Sequence, residues 1–240
     1  HNPTVAAALQ AKTEGINGNF DCVTYLDIST DPEEDGAEVY TDVKTAKEAL
    51  GATSPHAAAL WPMGAVGDKI YYLSAMFAAL TAYTDANNSD VPYESPSNKD
   101  LKITATVLKD GTEILLDQQQ ANDLLNANGV ITAINANGYK AWGNNTAAYP
   151  STTDPKDRWL AVRRFFDWDG NNFILTYFQK VDKPGNTRLI QSIVDSQNII
   201  GNGYVARDYC AGYRTEFKSD ENPITNLLAG HLTTHTYLAP

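Results

Sequence analysis

The chain has 240 residues, 42% hydrophobic and 10% aromatic, with a net charge of −11; that is apolar enough for one large core or two modest ones, and it argues against disorder. The acidity argues against a broad basic surface for nucleic acid. Cys22 and Cys210 are too few for a disulfide framework and read as small buried hydrophobes in a reducing compartment, and no apolar run reaches the ~20 residues of a membrane span.

Asn2-Pro3 opens a capped helix, TVAAALQAK, without the basic and apolar regions of a signal peptide, and Gly15 and Gly18 end it. Phe20–Ile28 alternates as a strand, Ser29–Gly36 is an acidic loop, Asp42–Leu50 is a helix closed by Gly51, and Ala57–Pro62 is a buried strand. Helix, strand, helix, strand at this spacing predicts a parallel sheet with crossover helices. Lys69–Tyr83 is a largely apolar helix and Asn87–Lys99 a polar loop; Leu101–Leu116 holds two short strands about an Asp110-Gly111 turn. Asp117–Leu125 is a capped helix, Gly129–Asn135 a strand, and Tyr139–Asn144 follows Gly138. Asn145–Asp157, with two prolines, is the expected boundary between an α/β domain over 1–150 and a smaller α+β unit over 151–240. In the latter, Arg158–Phe166 reads as a strand, Asn171–Val181 and Thr187–Ile200 as helices, Tyr204–Lys218 as a long β segment, and Leu232–Leu238 as a last strand before Pro240.

Little here points to chemistry. His1 is terminal and His56 lies in a Ser54-Pro55-His56 loop. His231 and His235 are four apart, but on a strand and without an HExxH glutamate, so they read as polar surface rather than a metal site. There is no GxSxG elbow, and the Gly64–Gly67 and Gly201–Gly203 pairs read as turns rather than phosphate cradles. Asp31, Glu33, Glu34 and Asp35 make an exposed acidic loop without the alternation of a calcium site. No catalytic, cofactor or metal residue is assigned. Arg163 and Arg164 are the candidate interface residues. In a strand their side chains point to opposite faces, so at least one must meet a carboxylate or a wet interface. An ion pair within the chain, with Asp167 and Asp169 nearby, and one between subunits both stay open.

Several segments occur in an order that resembles contractile phage tail sheath proteins. Ser95-Pro-Ser-Asn98 resembles their Pro-Ala-Asn turn, and Asp117–Gly129 their acidic helix and Asn-x-x-Gly turn. Gly129–Asn135 and Trp142–Thr146 are similar to their GVN strand and WGxRT motif, with Asn145 in place of the arginine. Arg158–Arg164 resembles the FxxVRR strand, and Asp220–Ala239 the closing ENP helix and strand. The resemblance implies a subtilisin-like architecture followed by a C-terminal sheath domain. The Gly-Thr-Ser and His-Gly motifs of a subtilase are absent, so no protease activity follows. It further implies a structural subunit that packs with copies of itself in stacked hexameric rings around a tail tube protein. Such a sheath contracts to drive the tube through a cell envelope, needs no cofactor, and sits in a virion tail assembled in the bacterial host cytoplasm. The sheath of a non-viral injection system is one alternative, and a hydrolase of subtilisin-like architecture is the alternative from another class. With no initiator Met and no joining arms, the chain is expected to be a fragment, mainly monomeric in dilute solution.

Overall fold

A computed structural model describes residues 2–181, 183, 187–229 and 231–239. The terminal His1 and the Pro240 that closes the predicted last strand lie outside the described residues. The chain divides into two compact units, His1–Trp168 and Asp169–Pro240.

In the first unit, helix α1 (Pro3–Thr13) starts where the Asn2 side chain accepts the Val5 N–H at 3.2 Å. Strands β1 (Glu14–Ile16) and β2 (Phe20–Asp21) then form a small antiparallel pair across Gly18 at φ 79°. The predicted strand Phe20–Ile28 is thereby split: β2 pairs locally, and β3 (Thr24–Asp27) enters the central sheet. Helix α2 (Val43–Leu50) ends at Gly51, φ 71°, whose N–H reaches the carbonyls of Lys47 and Glu48. Strand β4 (Ala57–Leu60) is followed by β5 (Met63–Val66) and β6 (Lys69–Tyr71).

Helix α3 (Leu73–Asn87) begins later and ends later than the apolar run suggests, because Lys69–Tyr71 is taken by β6. Its start is set by Asp27 at the end of β3, whose carboxylate accepts the Ser74 N–H at 2.9 Å and the Ser74 hydroxyl. The predicted Asp110-Gly111 turn forms: Leu108 N–H donates to the Thr112 carbonyl, and Val107, in β7 (Ala105–Val107), bridges Glu113. Helix α4 (Gln118–Gln120) carries a capping box between Asp117 and Gln120 and runs on as a π-helical stretch, Ala121–Leu125. Strands β8 (Val130–Asn135) and β9 (Tyr139–Trp142) follow.

The central sheet has the order β3-β4-β8-β9, parallel across the first three and antiparallel at β9. Residue alternation sends Ala57, Ala59, Trp61 and Val130 into one core with α1 and α2. Ala58, Leu60, Ile131 and Ala133 go into a second core with Leu73, Phe77 and Leu80 of α3. Burial on both faces accounts for the near-continuous apolar run of β4. A separate antiparallel sheet has the order β6-β5-β7.

Short helix α5 (Pro155–Arg158), capped by Asp154, leads into α6 (Leu160–Tyr177), which starts in the first unit and ends in the second. The predicted strand over Arg158–Phe166 is corrected here: apart from Trp159, which is extended and bridges Asn145, the segment is helical. Leu160, Ala161 and Phe165 are the buried residues, a helical spacing, and Leu160 packs into the second core.

In the second unit, α7 (Thr187–Ala206) absorbs the start of the predicted β segment Tyr204–Lys218, leaving β10 (Gly212–Glu216). After α8 (Ile224–Leu228), β11 (His235–Ala239) pairs antiparallel with β10, Tyr213 opposite Leu238. Gly201 is a helix residue and not a turn: the Tyr213 ring lies against it so closely that a Cβ would fall 1.9 Å from Tyr213 Cδ1.

Candidate functional site

Arg163 and Arg164 sit near the start of α6, where successive side chains diverge by about 100° rather than to opposite faces. Both meet carboxylates of their own unit. Arg163 Nη2 lies 2.6 Å and its Nε 2.9 Å from Asp167 Oδ1, one helical turn on, and its Nη1 is 3.1 Å from Asp157 Oδ1. Arg164 forks onto Asp85 near the C-terminus of α3, with Nη1 at 3.3 Å from Oδ1 and Nη2 on Oδ2.

The other oxygen of Asp167 faces His56 Nδ1 at 3.1 Å, and both side chains are almost fully buried. Neither of those two atoms makes an aligned hydrogen bond. Burial opposes charge on His56, yet Asp167 outweighs it and holds the imidazole above its ordinary pKa. The loop that brings His56 to α6 leaves no sign in local sequence. Asp167, four residues after Arg163, is a helical signal visible only in the right period.

The serine hydroxyls at Ser54 and Ser74 are engaged with other partners. The Ser54 hydroxyl accepts the His56 backbone N–H at 3.0 Å and lies 3.3 Å from Glu14 Oε1. Ser74 donates to Asp27 and Ser29 to Glu34. Burial pushes the Asp27 carboxyl up, against the two Ser74 donors. Among the described residues no group of three His, Cys, Asp or Glu side chains is placed to hold a metal ion. His235 faces Glu221 at 3.1 Å instead. Cys210 is buried as expected, while Cys22 is only partly so. No helix of the described residues is long and apolar enough to cross a membrane.

The second unit has its own buried polar set. The Tyr213 hydroxyl donates to Asp169 Oδ2 at 2.8 Å and accepts from Gln197 Nε2 at 2.6 Å. Burial drives the Asp169 carboxyl upward despite the tyrosine donor. In the first unit Lys47 is buried, donating to the Asn128 and Tyr149 carbonyls at 2.7 and 2.9 Å, and burial lowers its pKa to about 8. Each set ties together elements of its own unit.

The arrangement defines an α/β body in which Arg163, Arg164, Lys47 and Asp169 are each partnered within their own unit. No family model matches the chain. The tail sheath protein of Burkholderia phage BcepMu is 32% identical over 169 residues, 69% of this chain and 34% of that protein. A chain of the anti-feeding prophage baseplate superposes with a TM-score of 0.76 at 17% identity, covering 99% of this chain and 61% of that one. A chain of the PVC sheath complex of an extracellular contractile injection system, in its contracted state, gives 0.75 at 19% identity over 98% and 64%. This chain is related to contractile tail sheath proteins and has their fold. It spans about a third of the length of the phage relative.

Proposed function

We propose that this chain is the body of a contractile tail sheath subunit, which packs with copies of itself around a tail tube and shortens to drive the tube through a cell envelope. The supporting observation is the agreement of two likenesses: 32% identity to a phage tail sheath protein over 169 residues, and a shared fold over 99% of the chain. Such a subunit needs no catalytic centre. It needs two packings of the same surfaces that differ in free energy, and a few kcal/mol per copy, repeated along a tail, suffices without a nucleotide. Its place is a virion tail, assembled in the host cytoplasm. The phage relative favours this over a non-viral injection system, because the likeness to the injection-system chain is one of fold alone.

An interface role for Arg163 and Arg164 belongs to this proposal. Their side chains are 11% and 14% exposed and already paired, so a neighbour's carboxylate would exchange with Asp157, Asp167 or Asp85 rather than add to them. Electron microscopy of the full-length protein tests the reading. Striated tubes with an axial repeat are expected; a protein that stays dispersed at every concentration and salt overturns it.

A further inference from the structure

Arg158, the last residue of α5, has a different environment from the other arginines of the first unit. Its guanidinium carbon lies 4.3 Å from the Tyr149 ring centre and 4.2 Å from that of Trp159. Its Nε donates to Asn145 Oδ1 at 3.2 Å. Whereas Arg163 and Arg164 are closed onto Asp85, Asp157 and Asp167, Arg158 joins no ion pair among the described residues, and its two Nη groups make no hydrogen bond there. Tyr149, Arg158 and Trp159 are each partly exposed.

A guanidinium held by two rings and anchored at Nε has lost most of its rotamer freedom in advance, while its Nη fork stays free. Little ordering then remains to be paid when a carboxylate docks. Tyr, Trp and Arg gathered at one surface point are also the residues in which binding energy concentrates. The protein carries 29 acidic against 18 basic residues, so another copy of it is rich in the carboxylates this fork fits.

We propose that Tyr149, Arg158 and Trp159 form a docking point for an Asp or Glu side chain of a second copy of this chain, with Arg158 forking onto the carboxylate between the two rings. This rests on the self-assembly proposed above.

The test is sedimentation of full-length wild type, Arg158→Gln, Arg158→Lys and Tyr149→Leu, with thermal unfolding as the control for folding. Wild type is expected to assemble. Both Arg158 variants are expected to need about thirtyfold more protein to do so, with unfolding nearly unchanged. Lysine keeps the charge but loses the fork, so assembly of Arg158→Lys at the wild-type concentration overturns the docking point while leaving the sheath reading intact. Wild type that does not assemble defeats the sheath reading itself. If the glutamine variant fails to fold, Tyr149→Leu, which keeps the charge and removes one wall, carries the same expectation at smaller size. Carbodiimide treatment of mixed isotope-labelled and unlabelled Arg158→Lys, at the higher concentration where it assembles, is expected to link the amine introduced at position 158 to a carboxylate of the other copy; links only within one copy overturn the proposal.

Discussion

At the residue scale, Asp167 joins two nearly buried side chains of the first unit. It faces Arg163 with one oxygen and His56 with the other. Asp167→Ala leaves a nearly buried guanidinium with only Asp157, and is expected to cost about 3–5 kcal/mol in urea unfolding. Arg163→Met removes the cation but leaves Asp167 opposite His56, and should make the protein more dependent on that histidine's proton. His56 also sets a pH dependence. Its folded pKa is raised, so the stability it contributes is complete below the unfolded value of about 6.5 and is lost as pH rises through the folded value. A pH series of unfolding midpoints is therefore expected to fall across that window in wild type and to flatten in His56→Gln. Lys47 titrates with the opposite sense: its folded pKa, about 8, lies below the unfolded one, so stability from this group grows as pH rises above about 8. Removing the amine as Lys47→Met strands two part-buried carbonyls, at an expected cost of about 1–3 kcal/mol.

At the element scale, α7 offers two glycines with opposite expectations. Gly201 lies under the Tyr213 ring, so Gly201→Ala forces β10 away from the helix, at an expected loss of about 1–3 kcal/mol. A Cβ on Gly203 meets nothing within 4 Å, so Gly203→Ala gains helix propensity and is expected to stabilise by about 0.5–1 kcal/mol. Thermal unfolding of the two single variants checks the contrast, and equal shifts would mean that Tyr213 is not seated on Gly201. Helix α3 depends on a distant residue in the same way. Asp27→Ala removes the acceptor of the Ser74 N–H and hydroxyl and is expected to cost about 1–2 kcal/mol, with fraying confined to the first turn. Helix α6 shows why a strand pattern over Arg158–Phe166 misleads. Over seven to nine residues, apolar positions flanking Arg163-Arg164 satisfy both a period of 2 and one of 3.6. Asp154-Pro155 is the available start signal, and the buried Leu160, Ala161 and Phe165 resolve the period only once the core they enter is known.

At the scale of the whole molecule, a fold does not by itself fix a function, so activity has to be argued from the site. Ser54 accepts the His56 backbone N–H, Ser74 donates to Asp27, and the His56 ring faces Asp167. A fluorophosphonate probe is therefore expected to leave the protein unlabelled; stoichiometric labelling at a single serine would replace the structural reading by the hydrolase one. The sequence by itself determined the elements whose signals are local: the Asn2 cap, the Gly51 stop, the Asp117 cap, the Asp110-Gly111 turn, though its second strand does not form beyond a bridge at Glu113, and the buried parallel strands, together with the order of motifs that resembles a sheath protein. These depend on hydrogen bonds and dihedral preferences within a few residues. Only the tertiary structure decided that Arg163 and Arg164 lie on a helix and close onto Asp157, Asp167 and Asp85, that His56 reaches Asp167, and that Arg158 stands between two rings with its fork free. Pairings such as Arg164 with Asp85 and His56 with Asp167 join segments far apart in the chain. A charged side chain's partner is set by which surfaces the core brings together, and the local pattern around it holds no record of that.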